Sequence, residues 1–189
     1  MGTSKVYIVH GYMATPQHHW FAWLKEQLAQ HHITADILAL PNSSAPDMEQ
    51  WLTYVQQHVT EPNHDTFLVG HSLGCVTILN YLQRIGYAGD VGGAVLVSGF
   101  DQSIPNLPAL DRFVQEPLHY EQLTERIRQR AVIAAEDDNI VPFEYSVNLA
   151  ERLQAQLYRV QQGGHFLDVD GYVQFPLVYD LLWRMIQQP

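Results

Sequence analysis

Ser72 stands between Gly70 and Gly74 in "LVGHSLG" (68–74), straight after an apolar run and just before a helical pattern. A hydroxyl placed there can serve as a nucleophile. A tight strand-to-helix reversal projects its central residue outward, and glycines two residues to either side let the backbone pack closely. The helix start adds unpaired N–H groups and positive dipole character beneath the hydroxyl. The plainer alternative is a serine N-cap with glycines in a turn. Its place between a buried strand and a clear helix favours the nucleophile.

A serine hydroxyl needs a base to take its proton. The candidate is His165 in "QQGGHFLD", which follows the last strand-like run across Gly163 and Gly164. Nine other histidines compete. His10 and His71 adjoin strand ends, but His71 is next to Ser72 and should project away from it. His18, His19, His31 and His32 lie on or beside a surface helix and read as solvated. His58, His64 and His119 have no motif around them. The base in turn needs an acid to fix its tautomer and stabilise its cation. "AAEDDNIVPF" supplies two: Asp138, before "NIVP", is the choice, and Asp137 is its close rival. One of the two carboxylates is expected to cap the following turn.

An oxyanion hole would use the N–H of Leu73 and one from the loop "HGYMATP" (10–16), with Tyr12 first and Met13 second. Gly11 could equally serve only that turn. Met13, Phe100, Phe113 and Val141 are candidate pocket walls, each equally readable as core. Cys75 reads as a small core residue rather than a second nucleophile. The His18–His19 pair lacks a third ligand, so no metal is expected. No phosphate-cradling signature appears, so no cofactor is expected.

Elements must hold these loops together. Strands are expected at 5–10, 34–40, 66–70, 92–100, 130–136 and 157–162. Helices are expected at 20–31, 47–59 (Asp47 capping), 73–86, 143–156 and from Pro176 onward. In the last, Leu177, Leu181, Leu182 and Met185 form the apolar stripe. In the first, Trp20, Trp23, Leu24, Gln27 and Leu28 lie along one side. Such alternation implies a doubly wound, mostly parallel sheet with helices on both faces, and loops that meet at the carboxyl ends of its strands. The segment 101–120 has no clear period, and long irregular stretches are often functional. Residues 1–189 read as a single domain.

Bulk properties narrow the partners. The formal net charge is −10, which disfavours nucleic acid and anionic membrane surfaces. Cys75 is the one cysteine, so no intramolecular disulfide can form, which fits a reducing compartment. The N-terminal apolar run is too short for a secretory leader, and no stretch approaches a membrane span. A soluble, cytoplasmic protein is expected.

The segments "VYIVHGY", "HHWFAWL", "LVGHSLG", "EDDNIVPF" and "GGHF" resemble the α/β-hydrolase superfamily. They are more closely similar to the family of small serine hydrolases that includes retinoblastoma-binding protein 9. The order Ser72, Asp138, His165 is the order of that superfamily. The resemblance covers nearly the whole chain. It implies a sheet of about six strands, no large cap domain, a Ser72–Asp138–His165 triad, and hydrolysis of small activated esters. The L-x-C-x-E motif through which the name-giving protein binds retinoblastoma protein is absent, because the only cysteine lies in "LGCVT" (73–77). That partner is therefore not carried over.

The expected function is a carboxylesterase-like serine hydrolase that takes a small or medium acyl substrate through an acyl-enzyme. The base must be neutral, so activity should fall on acidification. Thioesterase and amidase use the same machinery. The rivals of another class are a non-catalytic binding module on this fold and a flavodoxin-like nucleotide or flavin binder. Oligomeric state is left open.

Overall fold

The computed structural model describes residues 4–86 and 89–188. Met1–Thr3, part of the N-terminal run read as carrying no leader, lies outside them. Among the described residues, six strands form one sheet in the order β2-β1-β3-β4-β5-β6. They are β1 (Lys5–Val9), β2 (Thr34–Leu38), β3 (Thr66–His71), β4 (Val91–Val97), β5 (Ile127–Ala135) and β6 (Gln156–Val160). All five pairings are parallel.

The helices are α1 (Phe21–Ala29), α2 (Met48–His58), α3 (Leu73–Arg84), α4 (Tyr120–Arg126), α5 (Phe143–Arg152) and α6 (Pro176–Gln187). They cover both sides of the sheet, so its strands are apolar on both faces. Alternate residues of one strand serve different cores. Val6 and Ile8 of β1 pack with α1 and α6, through Phe21, Leu24, Leu28, Val178 and Leu182. Tyr7 and Val9 pack with α2 to α5, through Trp51, Val55, Leu79, Leu123 and Leu149. Asp47 caps α2, accepting the Gln50 N–H at 2.9 Å, a contact worth ~1 kcal/mol.

Several expected boundaries move. Strand β4 ends at Val97, not Phe100, because Ser98 turns to a positive φ of 48°. In α6 the buried stripe is Val178, Leu181, Leu182 and Met185, with Leu177 only partly buried. The irregular segment holds a 3₁₀ helix, Pro108–Val114, and α4 begins at its last residue, Tyr120. Helix α4 spans only seven residues, too few to show a helical period around its buried Leu123.

The connection from β1 to β2 runs outward, and β3 returns on the other side of β1. The loops after β1 and β3 therefore diverge at the switch point of the sheet, where such folds open a crevice.

Candidate active site

Ser72 sits between β3 and α3 with φ 53° and ψ −120°. A positive φ is costly for a residue with a Cβ, on the order of 1–3 kcal/mol. The flanking backbone holds it there. The Ser72 N–H donates to the Val97 carbonyl at 2.8 Å, and its own carbonyl accepts the Cys75 N–H at 2.9 Å. Gly74 is required by space: a Cβ there would lie 2.1 Å from the Val9 carbonyl oxygen. Gly11 is also closely fitted, since a Cβ there would lie 3.0 Å from the Ser72 Cβ. Gly11 thus does more than serve its own turn, because it brings the loop after β1 against the nucleophile turn.

The two expected oxyanion donors, Tyr12 and Leu73, each follow one partner of that contact. Met13 is committed elsewhere, its N–H donating to the Ser43 carbonyl at 2.8 Å. The Tyr12 N–H has no acceptor among the described residues, and Leu73 opens α3, where N–H groups lack intrahelical partners. His10 pins the start of this loop. Its Nε2 accepts the Leu40 N–H at 3.2 Å, so its Nδ1 carries the proton and donates to the Gly11 carbonyl at 2.9 Å.

His165 Nδ1 lies 2.8 Å from Asp138 Oδ2, with both side chains almost fully buried (5% and 2% exposed). A carboxylate only accepts, so Nδ1 carries a proton, and in the neutral ring Nε2 keeps its lone pair. Asp138 is saturated: Oδ2 also accepts the Ser98 hydroxyl at 2.8 Å, and Oδ1 accepts the Ile140 and Val141 N–H groups at 2.9 Å each. One residue therefore both faces His165 and caps the following turn. Asp137, the rival, points away from the imidazole. Its Oδ1 accepts the Gly163 and Gly164 N–H groups at 2.8 and 2.9 Å, which hold its carboxyl below the usual range. Asp170 Oδ2 accepts the His165 N–H at 2.9 Å. Two carboxylates thus fix the loop whose side chain meets a third.

Ser72 and His165 line one cavity of about 570 Å³, together with Tyr12 and Met13. Phe100, Phe113 and Val141 do not line it. They are at most 1% exposed and belong to the core beneath, because β4 ends early and turns Phe100 inward. Cys75 is buried, donates to the Val97 carbonyl at 3.3 Å, and has its thiol pKa pushed up by desolvation.

The cavity is also lined by three histidines not chosen as the base. His71 does not project away: its ring centroid is 5.0 Å from that of His165, and its Nε2–H donates to the His165 carbonyl at 2.8 Å. Burial, then the neighbouring His165, hold His71 well below the ordinary histidine value. His18 and His19 also line the cavity rather than a solvated helix face. The available signal was position, since "HHW" directly precedes α1 in the loop at the switch point. Ser98 and Asp170 carried no local signal. Among the described residues, no group of His, Cys, Asp or Glu is arranged to hold a metal ion, and no helix is long and apolar enough to cross a membrane.

The chain is similar to known serine hydrolases. The serine hydrolase family profile matches residues 6–184. YdeN of Bacillus subtilis is 45% identical over 180 residues, covering 95% of each chain. Serine hydrolase RBBP9 of Rattus norvegicus is 21% identical over 169 residues, covering 87% of each. The crystal structure of the B. subtilis ydeN product superposes with a TM-score of 0.96 at 44% identity, over 98% of this chain and 100% of that one. A YdeN-like protein of Pectobacterium atrosepticum shares the fold at a TM-score of 0.72 and 17% identity, over 98% and 91% of the two chains.

Proposed function

The chain belongs to the serine hydrolase family, and from that premise we propose that it is a carboxylesterase using Ser72 as nucleophile, His165 as base and Asp138 as its orienting acid. The observation that carries this reading is the 2.8 Å His165–Asp138 contact beside a serine held at positive φ in the wall of one cavity. His165 Nε2 takes the Ser72 proton as Oγ attacks the ester carbonyl. The oxyanion receives the Leu73 and Tyr12 N–H groups. His165 then protonates the departing alkoxide, and water, deprotonated by the same nitrogen, hydrolyses the acyl-enzyme. The cavity is of the size that holds small ligands, in keeping with a small or medium acyl group.

The test is labelling with a fluorophosphonate, with the adduct located by mass spectrometry. An adduct on Ser72 that disappears in Ser72→Ala is the expected result. Well-folded protein that takes no label would overturn the assignment and favour a binding module on this fold.

A further inference from the structure

The cavity has two chemically different walls. Ile104, Leu107, Leu110 and Ile140 make one, packed on the core under α2 to α5. His18 and His19 lie in the other, where the His19 ring is 5.5 Å from Phe21 of the opposite core. Both are outside the proposed triad.

Backbone groups set the tautomer of both rings. The Thr15 N–H donates to His18 Nδ1 at 2.8 Å, and the Asp168 N–H donates to His19 Nδ1 at 3.1 Å. A nitrogen that accepts an N–H has no proton of its own, so in each neutral ring the proton sits on Nε2. The Asp168 carboxylate is the weaker neighbour, 3.5 Å from His19 Nδ1, and its Oδ1 already accepts the Val169 N–H at 2.8 Å. The closer backbone donor therefore decides the tautomer. Burial lowers the His19 pKa, which keeps that ring neutral. Two Nε2–H donors stand in the wall with no acceptor among the described residues.

Reaction chemistry says which half of a substrate meets them. The base must deliver its proton to the leaving oxygen, so the alcohol half lies on the imidazole side. His19 is on that side, its ring 5.5 Å from His71, which is 5.0 Å from His165. The acyl chain is left to the apolar wall.

We infer that His18 and His19 form a leaving-group subsite that recognises an oxygen acceptor on the alcohol half of the ester, beyond the scissile oxygen. The substrate class is an ester joining an apolar acyl chain to an alcohol with further ether, hydroxyl or carbonyl oxygens. This rests on the esterase reading above, and its test separates the two.

Two esters of one shape are compared, butyl butyrate and 2-methoxyethyl butyrate, which differ by one ether oxygen in the alcohol. The quantity read is the ratio of their kcat/KM values in wild type and variants, so that intrinsic reactivity cancels. His18→Asn/His19→Asn keeps an acceptor near each Nδ1, suits the left-handed backbone of His19 (φ 54°), and removes the Nε2 donors. His18→Gln/His19→Gln restores donors near the Nε2 positions. The expected result is a methoxyethyl preference that falls about tenfold in the asparagine variant and returns in the glutamine variant. Should the double asparagine variant fail to fold, His18→Asn alone is expected to lower the ratio about threefold. A ratio equal in wild type and the asparagine variants overturns the subsite while hydrolysis itself continues. Hydrolysis of neither ester by wild type overturns the subsite together with the esterase reading.

Discussion

Ser72 and Ser98 end neighbouring strands of one sheet in similar backbone strain, yet their hydroxyls are used in opposite ways. Their φ values are 53° and 48°. Each N–H donates to a carbonyl of the next strand over, Val97 at 2.8 Å and Ile133 at 2.9 Å. After Ser72 the chain enters α3, and the hydroxyl lines the cavity. After Ser98 the chain packs against the back of α3, where a Cβ on Gly99 would lie 3.1 Å from the Cys75 Cβ, and the hydroxyl is donated to Asp138. A serine at positive φ is thus a way to aim a hydroxyl past the end of a strand. Whether it stays available depends on what the next loop brings within reach.

Mutation of each serine should separate the two roles. Ser72→Ala is expected to lower kcat on the order of 10⁶-fold with stability little changed, measured by ester turnover and denaturant unfolding. Asp138→Asn tests the group that both serines depend on. It should lower kcat about 10³- to 10⁴-fold by upsetting the His165 tautomer. A loss no larger than tenfold would mean that Asp138 only caps its turn. Ser98→Ala should lower kcat about tenfold, with KM unchanged, because one hydrogen bond to the Asp138 carboxylate is lost and three remain. An effect as large as that of Ser72→Ala would erase the distinction between the serines.

The smallest effect concerns the residue beside Ser72. His71 is held below the ordinary histidine value of 6.5, chiefly by burial. In the unfolded chain it binds a proton below that pH, whereas in the fold it stays neutral. Its contribution to stability is therefore complete above 6.5 and is lost as pH falls below it, by up to about 1.4 kcal/mol per pH unit. His71→Gln keeps an N–H for the His165 carbonyl and removes the titration. Unfolding measured from roughly pH 7.5 to pH 5 should show a shallower acid slope in the variant.

The site was legible where its signal is local. "GHSLG" marks the strained turn at Ser72 because glycine at positions 70 and 74 answers a steric demand of that turn. Asp138 stands out from Asp137 only by its place before "NIVP", and the turn it caps is indeed that one. His71 was misread because a side chain's direction at a strained turn is not set by adjacency. Ser98 and His19 depend on partners that are distant in the chain, Asp138 for Ser98 and Asp168 for His19. Helix α4 was missed because seven residues cannot display a period.

By itself the sequence determined the alternation of strands and helices, the glycine-flanked turn, and the acid and base candidates, since each depends on residues a few positions apart. Tertiary structure alone decided the order of the strands, and with it which loops meet at the switch point. It also decided the tautomer of His19, the double use of Asp138, and the displacement of Phe100, Phe113 and Val141 from cavity to core. Those outcomes depend on hydrogen-bond partners and packing neighbours supplied by other strands, and a pattern read along one chain does not contain them.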